Sequence, residues 1–344
     1  MSDPTQIKRR ARVNEIAGLA GVGTATVDRV LNGRPNVSAA TRQRVEQAKA
    51  AIENGEPVQK RPRPWRLKVF LPEEAGPSTE YLASCFHEFG ARGNATIECV
   101  FTKKMEPALL ARKLQACAGQ GIDAIAFQAL DDPRVRQAVE DLAHLNIPCL
   151  TLISGLETPA LAGFIGMDNR AAGRTAGYLM GRFEPQKGAV AVVSGGQIYR
   201  VHEDREMGFR ACLRRDFPHL EVVSTYSGHD DIDGNYTEVR KILDSKPDLI
   251  GIYNVGGGNE GIVKALKEAG REKEVTFFGH NLTTKTQGYL LDGTMDVIMH
   301  QNMKRAAGRA VDALIARLEH RPYQIKLIST EIITKENIMG VTFG

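Results

Sequence analysis

Thr24, Ala25 and Thr26 open a short segment whose outer side also carries Arg29 and Asn32, with Arg34, Ser38, Thr41 and Arg42 close behind. Threonine and alanine methyls can touch thymine methyls, while hydroxyl, amide and guanidinium groups bond to base edges or phosphates. This is chemistry for reading double-stranded DNA, or a solvated polar face. A second set comes much later: Gln128, Ser154, Asp168 beside Asn169, Asn254, Asn281 and Gln301 each end an apolar run. Polar side chains gathered at strand ends are candidates to hold a small ligand.

Neither set resembles a catalytic apparatus. The glycine runs GVGTAT and GGGNEG lack the context of a dinucleotide loop, the second having no acid at ribose-binding distance. Walker, GxSxG and HExxH patterns are absent from the sequence. Gly256-Gly257-Gly258 either nests an anion such as a sugar phosphate or simply lets the backbone come close to a ligand. The histidines show no metal-ligand spacing; His280 is placed to line a cleft, whereas His202, His229 and His300 read as surface or core. No metal and no cofactor are expected, and five scattered cysteines read as reduced thiols.

The net charge of +4 hides an asymmetry: residues 1–68 carry 14 Lys and Arg against 6 Asp and Glu, and the rest carries 31 against 35. A basic head on a mildly acidic body marks a polyanion-binding module fused to something else. In the head, Val13, Ile16, Ala17 and Ala20 share one helical face. Gly21-Val22-Gly23 makes a tight turn, and Thr24 caps a second helix with Val27, Val30 and Leu31 inward. Asn32-Gly33 stops it, and Ser38 caps a third helix from Ala39 to about Asn54, striped by Val45, Ala48, Ala51 and Ile52. This is a helix-turn-helix plan, in which the start of the second helix enters the major groove. Asp28 would repel phosphate unless it accepts from a base amine or pairs with Arg29.

The run I-A-x-x-A-G-V-x-x-x-T-V-x-R-V-L-N-G, followed by V-S-x-x-T-R-x-R-V, resembles the head of the lactose-repressor (LacI/GalR) family. The resemblance implies that Thr24 and Ala25 are the main base-reading positions, and it marks Asp28 as a departure from a usual serine. The linker departs further. The family's Tyr-x-Pro-Asn and leucine hinge are missing, and Pro57, Pro62 and Pro64 oppose a helix. Gln59 to Trp65 reads as an extended basic arm, whose Lys60, Arg61 and Arg63 either follow phosphates or merely space the domains.

From Leu67 onward ten short apolar strands alternate with helical stretches, so two doubly wound parallel-sheet lobes are expected beside the all-α head. This body resembles the type I periplasmic sugar-binding fold that the family carries. The expected division is a head at 1–58, a linker at 59–66 and a ligand domain at 67–344. Its N-lobe spans about 67–166 and 299–326, and its C-lobe about 167–298 and 327–344. The resemblance makes Arg205, within HEDREMGF, the group that forks onto a ligand, and places Asn254, Asn281 and Gln301 at ligand-facing positions. Two departures stand out: Asn281 replaces the family's usual acid, and Ile153-Ser154 replaces the Asp-Arg pair of pentose binders. Amides, hydroxyls and one arginine suit a sugar or polyol. Tyr81, Phe86, Tyr199 and Tyr253 form either an apolar wall or plain core.

These readings converge on a cytoplasmic, homodimeric regulator, a repressor rather than an enzyme, that binds a pseudo-palindromic operator and responds to a small ligand. A sugar phosphate as the effector, or a solute-binding protein with no DNA role, are the alternatives. No segment reads as a signal peptide or a membrane span.

Overall fold

The computed structural model describes residues 11–338, apart from 21, 23, 36, 38, 54–62, 74, 93–94, 104–105, 195–198 and 226–230. The chain divides into two units, Met1–Pro64 and Trp65–Gly344. The first unit packs α1 (Val13–Ala20), α2 (Thr24–Leu31) and α3 (Ala39–Glu53) around Ile16, Ala17, Ala20, Val27, Val30, Val45, Ala48 and Ile52. Gly33, at φ +64°, ends α2 in the left-handed region that glycine enters without strain.

Two inward assignments fail here. Val13 and Leu31 are each 40% exposed. Three short helices enclose only a thin core, and Val27 and Val30 already fill the inner positions of α2. Leu31, about 100° round the helix from Val30, is left outside.

In the second unit β1 (Trp65–Pro72), α4 (Pro77–Arg92), β2 (Ala95–Thr102), α5 (Pro107–Gln115), β3 (Ala124–Phe127), α6 (Pro133–His144), β4 (Cys149–Leu152) and β5 (Gly163–Ile165) build the first sheet. Its order is β2-β1-β3-β4-β5, all parallel. Strand β1 starts at Trp65, so Trp65 and Arg66 are sheet residues rather than linker. The rest of the expected linker, up to Pro62, lies outside the described residues.

The second sheet follows from α7 (Asn169–Phe183), β6 (Gly188–Val193), α8 (Arg200–Asp216), β7 (Leu220–Thr225), α9 (Ile232–Ser245), β8 (Leu249–Asn254), α10 (Asn259–Glu268), β9 (Thr276–His280), α11 (Thr284–Leu291) and β10 (Val297–His300). Helix α12 (Met303–Leu318) returns to the first lobe's core, and β11 (Glu331–Ile333) pairs antiparallel with β10. The order is β11-β10-β9-β8-β6-β7. All ten expected strands are present; the antiparallel β11 is an addition. The chain passes between lobes after β5, after β10 and after α12, and two of these passages touch through a Met167–Ile328 bridge.

Strands such as β3 and β6 are wholly buried because helices cover both faces of each sheet. Several helices start on a side-chain cap that satisfies an orphan N–H: Asp132, Asp168, Asp231, Thr283 and Asn302. Helices α7 and α8 pack backbone to backbone. A Cβ on Gly173 would lie 2.0 Å from the Arg205 carbonyl oxygen, and one on Gly208 2.1 Å from that of Arg170. Gly208→Ala is therefore expected to cost about 1–3 kcal/mol. Gly288→Ala on α11, where a Cβ meets nothing within 4 Å, is expected to be neutral or to stabilise by up to about 1 kcal/mol. Urea unfolding of the two variants checks the contrast.

Candidate nucleic-acid interface and ligand cleft

On the head, burial of Val27 and Val30 turns Thr24, Ala25, Asp28, Arg29 and Asn32 outward, with Thr26 half-buried at the edge. Arg34 is exposed, and Thr41 and Arg42 are half-buried at the start of α3; Ser38 lies outside the described residues. Helix α2 begins at Thr24 itself, so Thr24 is its first residue rather than the residue before it. The Arg42 guanidinium donates to the Arg34 carbonyl at 3.4 Å, joining α3 to the end of α2. Asp28 does not turn to Arg29. It accepts from Asn32 Nδ2 at 2.7 Å and lies 3.6 Å from the Arg34 guanidinium.

In the second unit, Arg205 sits in the second turn of α8 and is 4% exposed. Its Nε donates to Asn169 Oδ1 at 3.0 Å and its NH1 to the Val255 carbonyl at 2.6 Å. Asn169 Nδ2 in turn donates to the carbonyls of Ile153, at 3.3 Å, and Met167, at 3.4 Å. Gln301 Oε1 accepts from Met167 N at 3.3 Å. Gln301 Nε2 and Ser154 Oγ are buried without a hydrogen-bond partner among the described residues. Gln128 is half-buried after β3, its backbone N–H bonded to Phe70 at 3.0 Å.

A cavity of about 500 Å³ opens between the lobes. Gly76, Pro77 and Ser78 of the first lobe face Asp231–Asp233, Gly256–Glu260, His280, Asn281, Thr283 and Thr286 of the second. The N-termini of α4, α9, α10 and α11 therefore converge on it. Of the polar strand-end residues expected to touch ligand, Asn281 lines this cavity, its backbone left-handed at φ +66°, together with His280 and the Gly256–Gly258 run that the sequence also placed near a ligand. Asn254 is spent on the turn behind it: Nδ2 donates to Gly257 O at 2.7 Å and Asn259 Oδ1 at 2.8 Å. Asp168 caps α7 through Ala171 N at 2.7 Å. Phe86 and Tyr253 are core, and neither Tyr81 nor Tyr199 lines the cavity.

Sequence reasoning missed Ser78, Asp231, Asn259, Glu260, Thr283 and Thr286. The available signal was a capping residue shortly after an apolar strand, as at Asp231 and Thr283. The triple glycine lines the cavity, and Gly258 lets this turn pass close to the start of α9. A Cβ on Gly258, at φ +67°, would strike the Asp231 carbonyl at 2.5 Å, and Asn235 Nδ2 bonds Gly257 O at 2.9 Å. Glu260 is paired with Lys285 at 3.1 Å.

Within the cavity wall His280, 1% exposed, shares a 2.8 Å hydrogen bond with the Tyr253 hydroxyl. Burial first, and then the nearby Arg205 charge, hold the imidazole pKa well below its ordinary value, so it is neutral near pH 7. On the other side of the cleft, Tyr199 and Val201 pack into the first lobe's core, and Arg200 pairs with Glu157 at 3.1 Å. Among the described residues no group of His, Cys, Asp and Glu is arranged to hold a metal ion, and no helix is long and apolar enough to cross a membrane.

Two parallel-sheet lobes joined by three passages, with a polar cavity at the strand ends, define a two-lobed ligand-binding protein; here it follows a helix-turn-helix head. The chain belongs to the family of the periplasmic binding protein domain, whose model matches residues 90–322, and residues 12–53 match that of the bacterial regulatory proteins of the lacI family. Its curated relatives include HTH-type transcriptional regulators and a xylitol-binding protein of Mycolicibacterium smegmatis, 26% identical over 163 residues, 47% of this chain and 46% of that one. One is the HTH-type transcriptional regulator MalR of Streptomyces coelicolor, 31% identical over 165 residues, 47% of each chain. Another is the HTH-type transcriptional regulator CelR of Thermobifida fusca, 26% identical over 260 residues, 72% of this chain and 74% of that one. The MalR match thus spans about half of the relative's length. A solute-binding protein of an ABC transporter from Burkholderia graminis, solved with D-arabinose, shares the fold at a TM-score of 0.75 and 23% identity, covering 81% of this chain and 98% of that one.

His280 makes stability pH-dependent in a defined direction. A base whose native pKa is depressed binds fewer protons folded than unfolded, so stability is full above the unfolded value of roughly 6.5 and falls on acidification below it. The loss runs at up to about 1.4 kcal/mol per pH unit. Urea unfolding between pH 7.5 and 5.5 should show a steeper fall for the native chain than for His280→Asn.

Proposed function

We propose that the protein is a transcriptional repressor: a cytoplasmic homodimer that binds a pseudo-palindromic operator and changes its affinity when a sugar or polyol enters the cleft. The pairing of an exposed polar α2 face, on a head that is basic overall, with a polar interlobe cavity in one chain carries this reading. One head reads a half-site only, so two-fold pairing is the economical way to contact a full operator. The ligand acts by linkage, favouring the lobe arrangement it binds better; couplings of this kind run at about 1–3 kcal/mol, or roughly 5–150-fold.

Electrostatics favours a neutral hydroxylated ligand over a sugar phosphate. Each helix N-terminus offers roughly half a positive charge. Asp231, Asp233 and Glu260 place whole negative charges on the same wall, the first serving as a cap and the last as the partner of Lys285. Carboxylates, amides and hydroxyls together accept from and donate to sugar hydroxyls.

A mobility shift on palindromic DNA, with and without a panel of sugars and polyols, tests the whole reading. A retarded complex whose midpoint one ligand moves is expected; folded protein that shifts no duplex at low salt contradicts it. Asn281→Gly, which keeps the left-handed backbone while removing the amide, should weaken that ligand by about tenfold and leave ligand-free DNA binding unchanged. Calorimetric titration of the variant provides the check.

A further inference from the structure

A carboxylate in the middle of the α2 outer face is an odd choice for a surface that meets a polyanion. Asp28 lies one turn beyond Thr24 and one turn before Asn32, with all three exposed. It is neither a helix cap nor a core residue. Asn32 Nδ2 donates to Asp28 Oδ1 at 2.7 Å, and Arg34 NH1 stands 3.6 Å from Asp28 Oδ2. Arg34 is itself brought back over the helix end: its N–H donates to the Arg29 carbonyl at 2.8 Å, after the left-handed turn at Gly33. Arg42 then fastens the Arg34 carbonyl from α3 at 3.4 Å. The acid is thus held in a small network rather than left to swing.

The network has a directional consequence. Asn32 spends one of its two amide N–H groups on Asp28, which leaves Oδ1 and one N–H to offer to DNA. A carboxylate offers acceptors only. Asp28 is therefore a small acceptor surface on the second turn of α2, flanked by the donors of Arg29 and Arg34. In the major groove only two groups donate, the N4 amine of cytosine and the N6 amine of adenine; guanine and thymine present acceptors there. An acceptor surface attracts the first pair and repels the second.

We propose that Asp28 is a specificity-determining residue: with Asn32 held beside it, it selects a half-site position bearing a cytosine or adenine amine and lowers affinity for other DNA. This rests on the DNA-binding reading. Asp28 also acts through Asn32 and Arg34 as a positioning residue, since its loss frees the Asn32 amide to rotate and Arg34 to seek phosphate.

The full-length chain, Asp28→Asn and Asp28→Ser are tested by selection from a randomised palindromic library, then by binding to single-base variants across a salt series. The native chain should select C or A at one position of each half-site. Both variants should relax that preference by about tenfold, bind unselected DNA more tightly, and show a steeper fall of affinity with salt. A loss of folding alone moves neither base preference nor salt slope in this pattern, and Asp28→Glu should restore part of the preference. Variants that keep the native base preference and salt slope overturn the inference while leaving the regulator reading intact. A native chain that binds no duplex at low salt overturns both.

Discussion

Arg205 carries a permanent charge into a place where 4% of its surface meets solvent, so its N–H groups must end on acceptors. Leaving such a group without partners costs several kcal/mol. Asn169 and the Val255 carbonyl receive two of the donors, and Asn169 passes the connection to Ile153 and Met167. One guanidinium thereby ties the second turn of α8, the start of α7, the turn after β8 and the end of β4. The glycines of α7 make this possible: with Gly173 against the Arg205 carbonyl, any larger side chain would push α8 and its charge away. The same charge helps keep His280 neutral beside Tyr253.

With that brace behind it, the cavity is built largely from helix starts. Asn235 and Asn254 bind the Gly256–Gly258 turn, with Asn259 accepting from Asn254 behind it, and α9 and α10 begin within contact of one another. Backbone N–H groups and capping side chains then face the space left between the lobes. Such a wall donates and accepts over short distances and carries acids at its rim. Those features favour hydroxyl groups over phosphate.

The strands were legible because a strand buried on both faces must be apolar throughout, as β3 and β6 are, while β1, β2, β4 and β10 keep an apolar majority around a few polar or charged residues. Strand β11 was not, since Glu331–Ile333 is short, lies at an edge and has an exposed middle residue. The site was legible only in outline. That Asn254 ends a strand follows from the sequence; whether its amide faces ligand or its own turn depends on Gly257 and Asn259, which only the folded turn brings near. Asp28 teaches the same lesson. Its neighbour Arg29 points elsewhere because adjacent helical residues do not face each other, and Arg34 returns through the Gly33 turn.

The head and the ligand domain are each complete as physical objects, and the proposed function lies in their coupling. Linkage makes that coupling reciprocal: if a sugar changes operator affinity by some factor, operator DNA must change sugar affinity by the same factor. Calorimetric titration of the effective sugar into the full chain, alone and saturated with operator duplex, measures this directly. The account predicts dissociation constants that differ by about 5–150-fold and match the operator shift. Equal constants, with both ligands bound, would contradict it.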